Sequence, residues 1–194
     1  MISEDLQTPL LLLGVLLVIA IAWAAWAITR ASRRRRASLR ERFGPEYERA
    51  IEENGSVGRA ERELLARAKR VDRLQLRTLS DAERTQYGAH WQAIQTRFVD
   101  DPSGAVRAAD DLIKNVMAAS GYPLENFEQR VADLSVEHAN VIQHYRAARV
   151  LAEANREGRA NTEELRQAFV HYRALFSDLL SPPDAAVELQ EARA

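Results

Sequence analysis

The side chains in this sequence best suited to proton transfer or metal ligation near neutral pH are four histidines, His90, His138, His144 and His171. None stands in an H-x-x-x-H or Glu-x-x-His arrangement that would put two ligands on one helical face, so a metal site requires an unforeseen tertiary convergence. Two of them head a repeated triplet, His144-Tyr145-Arg146 and His171-Tyr172-Arg173, each inside a long helical stretch with tyrosine on the inferred core face. One reading is an anion pocket between two helices, built from His144, Arg146, His171 and Arg173. The other is that the tyrosines pack while histidine and arginine flank them at the core boundary, and the general behaviour of such stripes favours it.

Paired carboxylates, the other common acid–base device, occur at Asp100-Asp101, Asp110-Asp111 and Glu163-Glu164. Neighbours on a helix diverge by about 100°, and each pair sits near a helix start or on a polar face, so capping and solubility account for them. The chain has no cysteine, which removes disulfides, thiol nucleophiles, thiolate zinc sites and iron–sulfur clusters together. There is no G-x-S-x-G, P-loop, dinucleotide glycine pattern or H-E-x-x-H. These readings give no catalytic residue, no metal and no cofactor.

The densest feature is basic. Arg30, Arg33, Arg34, Arg35, Arg36, Arg40 and Arg42 stand against Glu41 alone, a net +6 over residues 30–42. Before them lies a charge-free run from Pro9 to Ile28, whose twenty residues at about 1.5 Å each match the ~30 Å hydrocarbon layer of a bilayer. Trp23 and Trp26 lie at its C-terminal end, where indoles favour the headgroup zone. A cleaved signal peptide wants its positive charge before the apolar run; here Glu4 and Asp5 precede it and the arginines follow. The positive-inside rule then places the N-terminus outside and residues 30 onward in the cytoplasm, at a bacterial inner membrane.

Net charge is +1 over residues 43–77 and −6 over 78–194, so a basic collar separates the apolar run from an acidic distal part. The expected partners are the lipid bilayer and acidic lipid headgroups, each arginine contributing about 1 kcal/mol near an anionic leaflet. Nucleic acid is not expected, because no aromatic side chain interleaves the arginines for base stacking.

The elements that must position these residues are all helical. Residues 1–29 form the N-terminal tail and transmembrane helix, and 30–44 a basic juxtamembrane helix ended by Gly44-Pro45. Residues 45–78 read as a charged helical connector, with helices at Pro45–Glu53 and from the cap Ser56 to Val71, the second packing marginally on a narrow face. In 79–181, Ser80 with Glu83 and Asn161 with Glu164 read as capping boxes, and Asp101-Pro102 as a helix start. Tyr87, Trp91, Ile94 and Phe98 form a stripe at helical spacing; a short helix is expected from Pro123, then a longer one capped by Ser135. Leu165, Phe169, Tyr172, Phe176 and Leu179 form the last stripe, and residues 182–194 read as a flexible tail. The expectation is an all-α protein, one N-terminal transmembrane helix followed by a small antiparallel helical bundle.

The stretches RFGPEY (Arg42 to Tyr47), FEQRVADLSVEH (Phe127 to His138) and LRQAFVHYRALF (Leu165 to Phe176) resemble a family of bacterial single-span membrane or secreted proteins common in actinobacterial genomes. The resemblance covers nearly the whole chain and brings no activity or catalytic residue with it. Architecture then points to a membrane-anchored cytoplasmic interaction module with an unidentified protein partner. The alternative is a small enzyme or ligand-binding domain with a pocket around the His-Tyr-Arg triplets.

Overall fold

The computed structural model describes the backbone of residues 4–181 and the side chains from Leu16 to Ser181. The expected tail, 182–194, lies outside the described residues. All regular structure among the described residues is helical: α1 (Glu4–Phe43), α2 (Pro45–Asn54), α3 (Val57–Val71), α4 (Asp81–Arg97), α5 (Pro102–Ala119), α6 (Phe127–Glu137), α7 (Ile142–Arg156) and α8 (Thr162–Leu180). The chain divides between Glu41 and Arg42 into two units.

The apolar run and the arginine collar form one unbroken helix, and from Val15 to Phe43 neither proline nor glycine interrupts it. Between Leu16 and Phe43 an 18-residue window has a mean hydropathy of 1.3 and buries nothing within the protein, so the helix is long and apolar enough to cross a membrane. Leu17, Ile19, Ile21, Trp23 and Trp26 are exposed all round the helix. A soluble helix would instead hide one such face.

In the second unit, α2 begins with Pro45 in its first turn and ends at Gly55, whose φ of 65° is the left-handed cap that glycine takes without strain. Ser56 caps α3 by accepting a bond from Arg59 N–H. This stretch is not the marginal connector expected from its narrow face. Ala60, Leu64, Ala68 and Val71 are buried, and α3 lies against both α2 and α6. A narrow face suffices here because small alanines let the helices approach closely.

The central helix is α5, whose Ala105, Val106, Ala109, Leu112, Ile113, Val116 and Met117 are buried where it meets α4, α7 and α8. The two expected capping boxes are formed at Ser80–Glu83 and Asn161–Glu164, and Asp101 caps α5 through Gly104 N–H. Two expected boundaries move. Asn126, not Pro123, caps α6, its side chain accepting from Gln129 N–H. Ser135 lies inside α6, its hydroxyl donating to the Ala132 carbonyl (2.7 Å), and α7 begins only at Ile142. A serine hydroxyl bonds back to the preceding turn as readily as it caps, so its identity alone does not mark a helix start.

Candidate functional site

The α7–α8 hairpin makes the most extensive helix–helix contact of the unit. Its turn holds Gly158 at φ 69°, and the two His-Tyr-Arg triplets begin at nearly equal distances on either side of it, at 144 and 171. Antiparallel helices joined by a short turn bring such positions level. His144 Nδ1 and His171 Nδ1 accordingly lie 2.8 Å apart, with ring centroids 5.1 Å apart and planes inclined by 38°. Both rings are half-buried. Burial, and then the neighbouring His144, hold the His171 pKa below its ordinary value, so this imidazole stays neutral near pH 7.

The tyrosines next to them are fully buried. Tyr145 accepts a hydrogen bond from Arg130 Nε (3.1 Å), and Tyr172 donates to Asp110 Oδ1 (2.9 Å). Burial pushes both phenols up, Tyr172 further because the Asp110 charge stands beside it. Asp110, expected on a polar face, is buried and also paired with Lys114 (2.7 Å).

The arginines of the triplets diverge. Arg146 turns to Glu46, engaging both carboxylate oxygens, while Arg173 is exposed. The four residues His144, Arg146, His171 and Arg173 thus do not converge on one anion pocket; only the histidines meet.

A groove of about 550 Å³ opens elsewhere, where the connector from Leu74 to Leu79 passes the C-terminal ends of α5, α6 and α8. Leu74, Leu76, Tyr122 and Leu179 supply apolar wall, and His138 Nδ1 meets Asp178 Oδ2 at 2.5 Å on its rim. Arg77 N–H donates to the Ser120 carbonyl (3.1 Å), fastening the connector to the end of α5. Gly121 has φ 90°, and a Cβ there would stand 2.6 Å from the Gln75 carbonyl oxygen, so only glycine lets the connector pass this close. The sequence reading missed this groove because its walls come from four separate segments.

The connector is also held at its far end. Arg77 forks onto Glu83 (2.9 and 2.6 Å), which accepts from Ser80 N–H (2.9 Å). Arg77 first, then Ser80, lowers the Glu83 pKa to about 2. Because the folded value lies below the unfolded one, this cap stabilises fully above about pH 4.5 and is lost as pH falls towards 2. Carboxyl carbon chemical shifts across an acid titration should therefore give Glu83 a midpoint near 2. A midpoint near 4.5 would show the fork to be absent in solution.

Of the remaining expected site residues, Trp23, Arg33, Arg34 and Arg35 are exposed along α1, and Arg30 lies 5.3 Å over the Trp26 ring. Arg36 and Arg40 are exposed too. Arg42 meets Asp72 (3.5 Å) and Glu137 (3.3 Å) in the second unit. His90 is exposed on α4. Among the described residues no group of three or more His, Asp or Glu side chains is disposed to hold a metal ion. No family model, curated protein or solved structure matches this chain.

Proposed function

We propose that the chain is a membrane-tethered interaction module. In this reading α1 anchors it with the N-terminus outside, and the helical unit works in the cytoplasm at an inner membrane. Its groove receives a short amphipathic segment of a protein partner, apolar side chains on the leucines and polar ones on the charged rim. The observation that carries the reading is the groove itself: an open channel at the edge of the core in which Leu74, Leu76 and Leu180 stand among the charged Asp72, Arg77, Glu137 and Asp178, while the triplet tyrosines are fully buried. None of His144, Arg146, His171 and Arg173 lines that groove, which weighs against an enzyme pocket built on the triplets.

The orientation rests on charge. Arg30, Arg33, Arg34, Arg35, Arg36, Arg40 and Arg42 follow the apolar run, two acids precede it, and acidic headgroups of the inner leaflet would hold the arginines on that side. Trp23 and Trp26 occupy the matching interfacial zone.

One experiment on the full chain in its membrane tests both parts. A photoreactive amino acid at Leu76, on the groove wall, is expected to cross-link a single cytoplasmic protein, and the product is to disappear when the exposed groove residue Thr78 is changed to tryptophan. The same probe at Val150, which is 69 % exposed on α7, serves as the background. Equal cross-linking from both positions would sink the groove reading. A C-terminal reporter active only outside the cytoplasm should stay dark, and a signal from it would reverse the orientation.

A further inference from the structure

We propose that His144 and His171 form the protein half of a binding site for a tetragonal divalent transition-metal cation, Cu²⁺ or Ni²⁺. The pair is the tertiary convergence that spacing along a single helix does not supply. Two metal–imidazole bonds of about 2.0–2.1 Å meeting at a right angle place their nitrogens about 2.9 Å apart. The two Nδ1 atoms stand at 2.8 Å. A tetrahedral angle at the same bond lengths needs about 3.4 Å, so this bite fits square-planar or octahedral ions better than zinc.

The spacing is held by the hairpin rather than by the rings. Each histidine precedes a fully buried tyrosine whose hydroxyl is bonded, Tyr145 to Arg130 and Tyr172 to Asp110, and this fixes the two helices at the level of the pair. The rings themselves now share a hydrogen bond, one Nδ1 donating to the other. A concerted turn of both rings about their Cβ–Cγ bonds, in the sense that keeps the two Nδ1 atoms near their present separation, swings both lone pairs to a common point, and the proton of the donating Nδ1 moves to its Nε2. Protein supplies two cis positions, and water fills the rest from the half-exposed side. With only two protein ligands, selectivity follows the general order of divalent affinities, Cu²⁺ above Ni²⁺ and both far above Mn²⁺ and Mg²⁺.

The test uses the tag-free full chain in detergent, titrated at pH 7.5 with Cu²⁺ or Ni²⁺ alone and followed by calorimetry and visible absorption. One saturable equivalent is expected, weakened at least tenfold in His144→Gln and in His171→Gln and unchanged in His90→Gln and His138→Gln. Helical circular dichroism verifies that each variant is folded. For the unmodified chain, electron paramagnetic resonance of bound Cu²⁺ should show two equivalent imidazole nitrogens, a readout that needs no substitution. Binding that keeps its strength in both His144→Gln and His171→Gln, a spectrum with a single nitrogen, or no saturable equivalent would overturn the assignment and leave the pair a hydrogen-bonded clasp.

Discussion

Replacing Arg146 with alanine is expected to cost about 3–5 kcal/mol of stability, because it strands a buried carboxylate. Glu46 on α2 is 1 % exposed. Arg146 on α7 engages both of its oxygens, the second at 2.9 Å. What would remain is Gln143 Nε2 at 2.6 Å and the Arg67 guanidinium at 4.0 Å. These soften the loss without replacing the paired charge, so the lower end of that range is expected. The consequence is local as well as global. With Asp133–Arg70 (2.6 Å) between α6 and α3, the Glu46–Arg146 pair clasps the α2–α3 hairpin to the remaining helices. Amide exchange in Arg146→Ala should therefore quicken in α2 and α3 before α5. Urea unfolding of the full chain, followed in the helical signal, measures the cost. Replacing the pair together, Glu46→Leu with Arg146→Met, should recover most of it, since no charge is then left unpaired. A single-variant cost below about 1 kcal/mol would place the pair among ordinary surface ion pairs.

Trp91→Ala is the second large effect, also about 3–5 kcal/mol. Trp91 is the one buried residue of α4, and its indole stacks on both Phe169 and Phe176 of α8, with centroids 4.8 Å away in each case. Phe98 adds a contact to Phe169 at 5.1 Å. Tyr87 and Ile94 are only partly buried against the core, so α4, although it also lies along α5, has Trp91 as its single buried anchor. Removing the indole opens a space that the two phenylalanines, rooted on a rigid helix, fill poorly. Trp91→Phe should cost much less, because a smaller ring still stacks. The discriminating observation is where exchange quickens: along α4 and into the connector if Trp91 pins this helix, uniformly if it merely fills volume. A loss under about 1 kcal/mol would show that α4 is held mainly through α5.

The helices were legible in the sequence to the extent that their signals are local. The boxes Ser80–Glu83 and Asn161–Glu164 and the Asp101-Pro102 start each act within four residues, and all formed. Ser135 and Pro123 misled for the same reason in reverse, since each residue type serves several local roles and only packing chooses among them. Glu46 looked like one more acid in a charged stretch. It is buried because its partner stands one hundred residues away on α7, and no local pattern announces such a pair. The histidine pair lay between these cases. Two identical triplets at nearly equal distances from the Gly158 break are a visible sign of meeting across a hairpin, but spacing alone did not say whether the arginines would join them.

The helix long and apolar enough to span a bilayer, the charge asymmetry around it and the all-α class were determined by the sequence itself, because hydropathy, charge order and capping are properties of short windows. The groove beside the connector, the burial of Glu46 and Asp133, and the 2.8 Å approach of His144 to His171 were decided only when distant segments packed. Each depends on distances between side chains remote in the chain, and those follow from how the helices pack against one another rather than from any one of them.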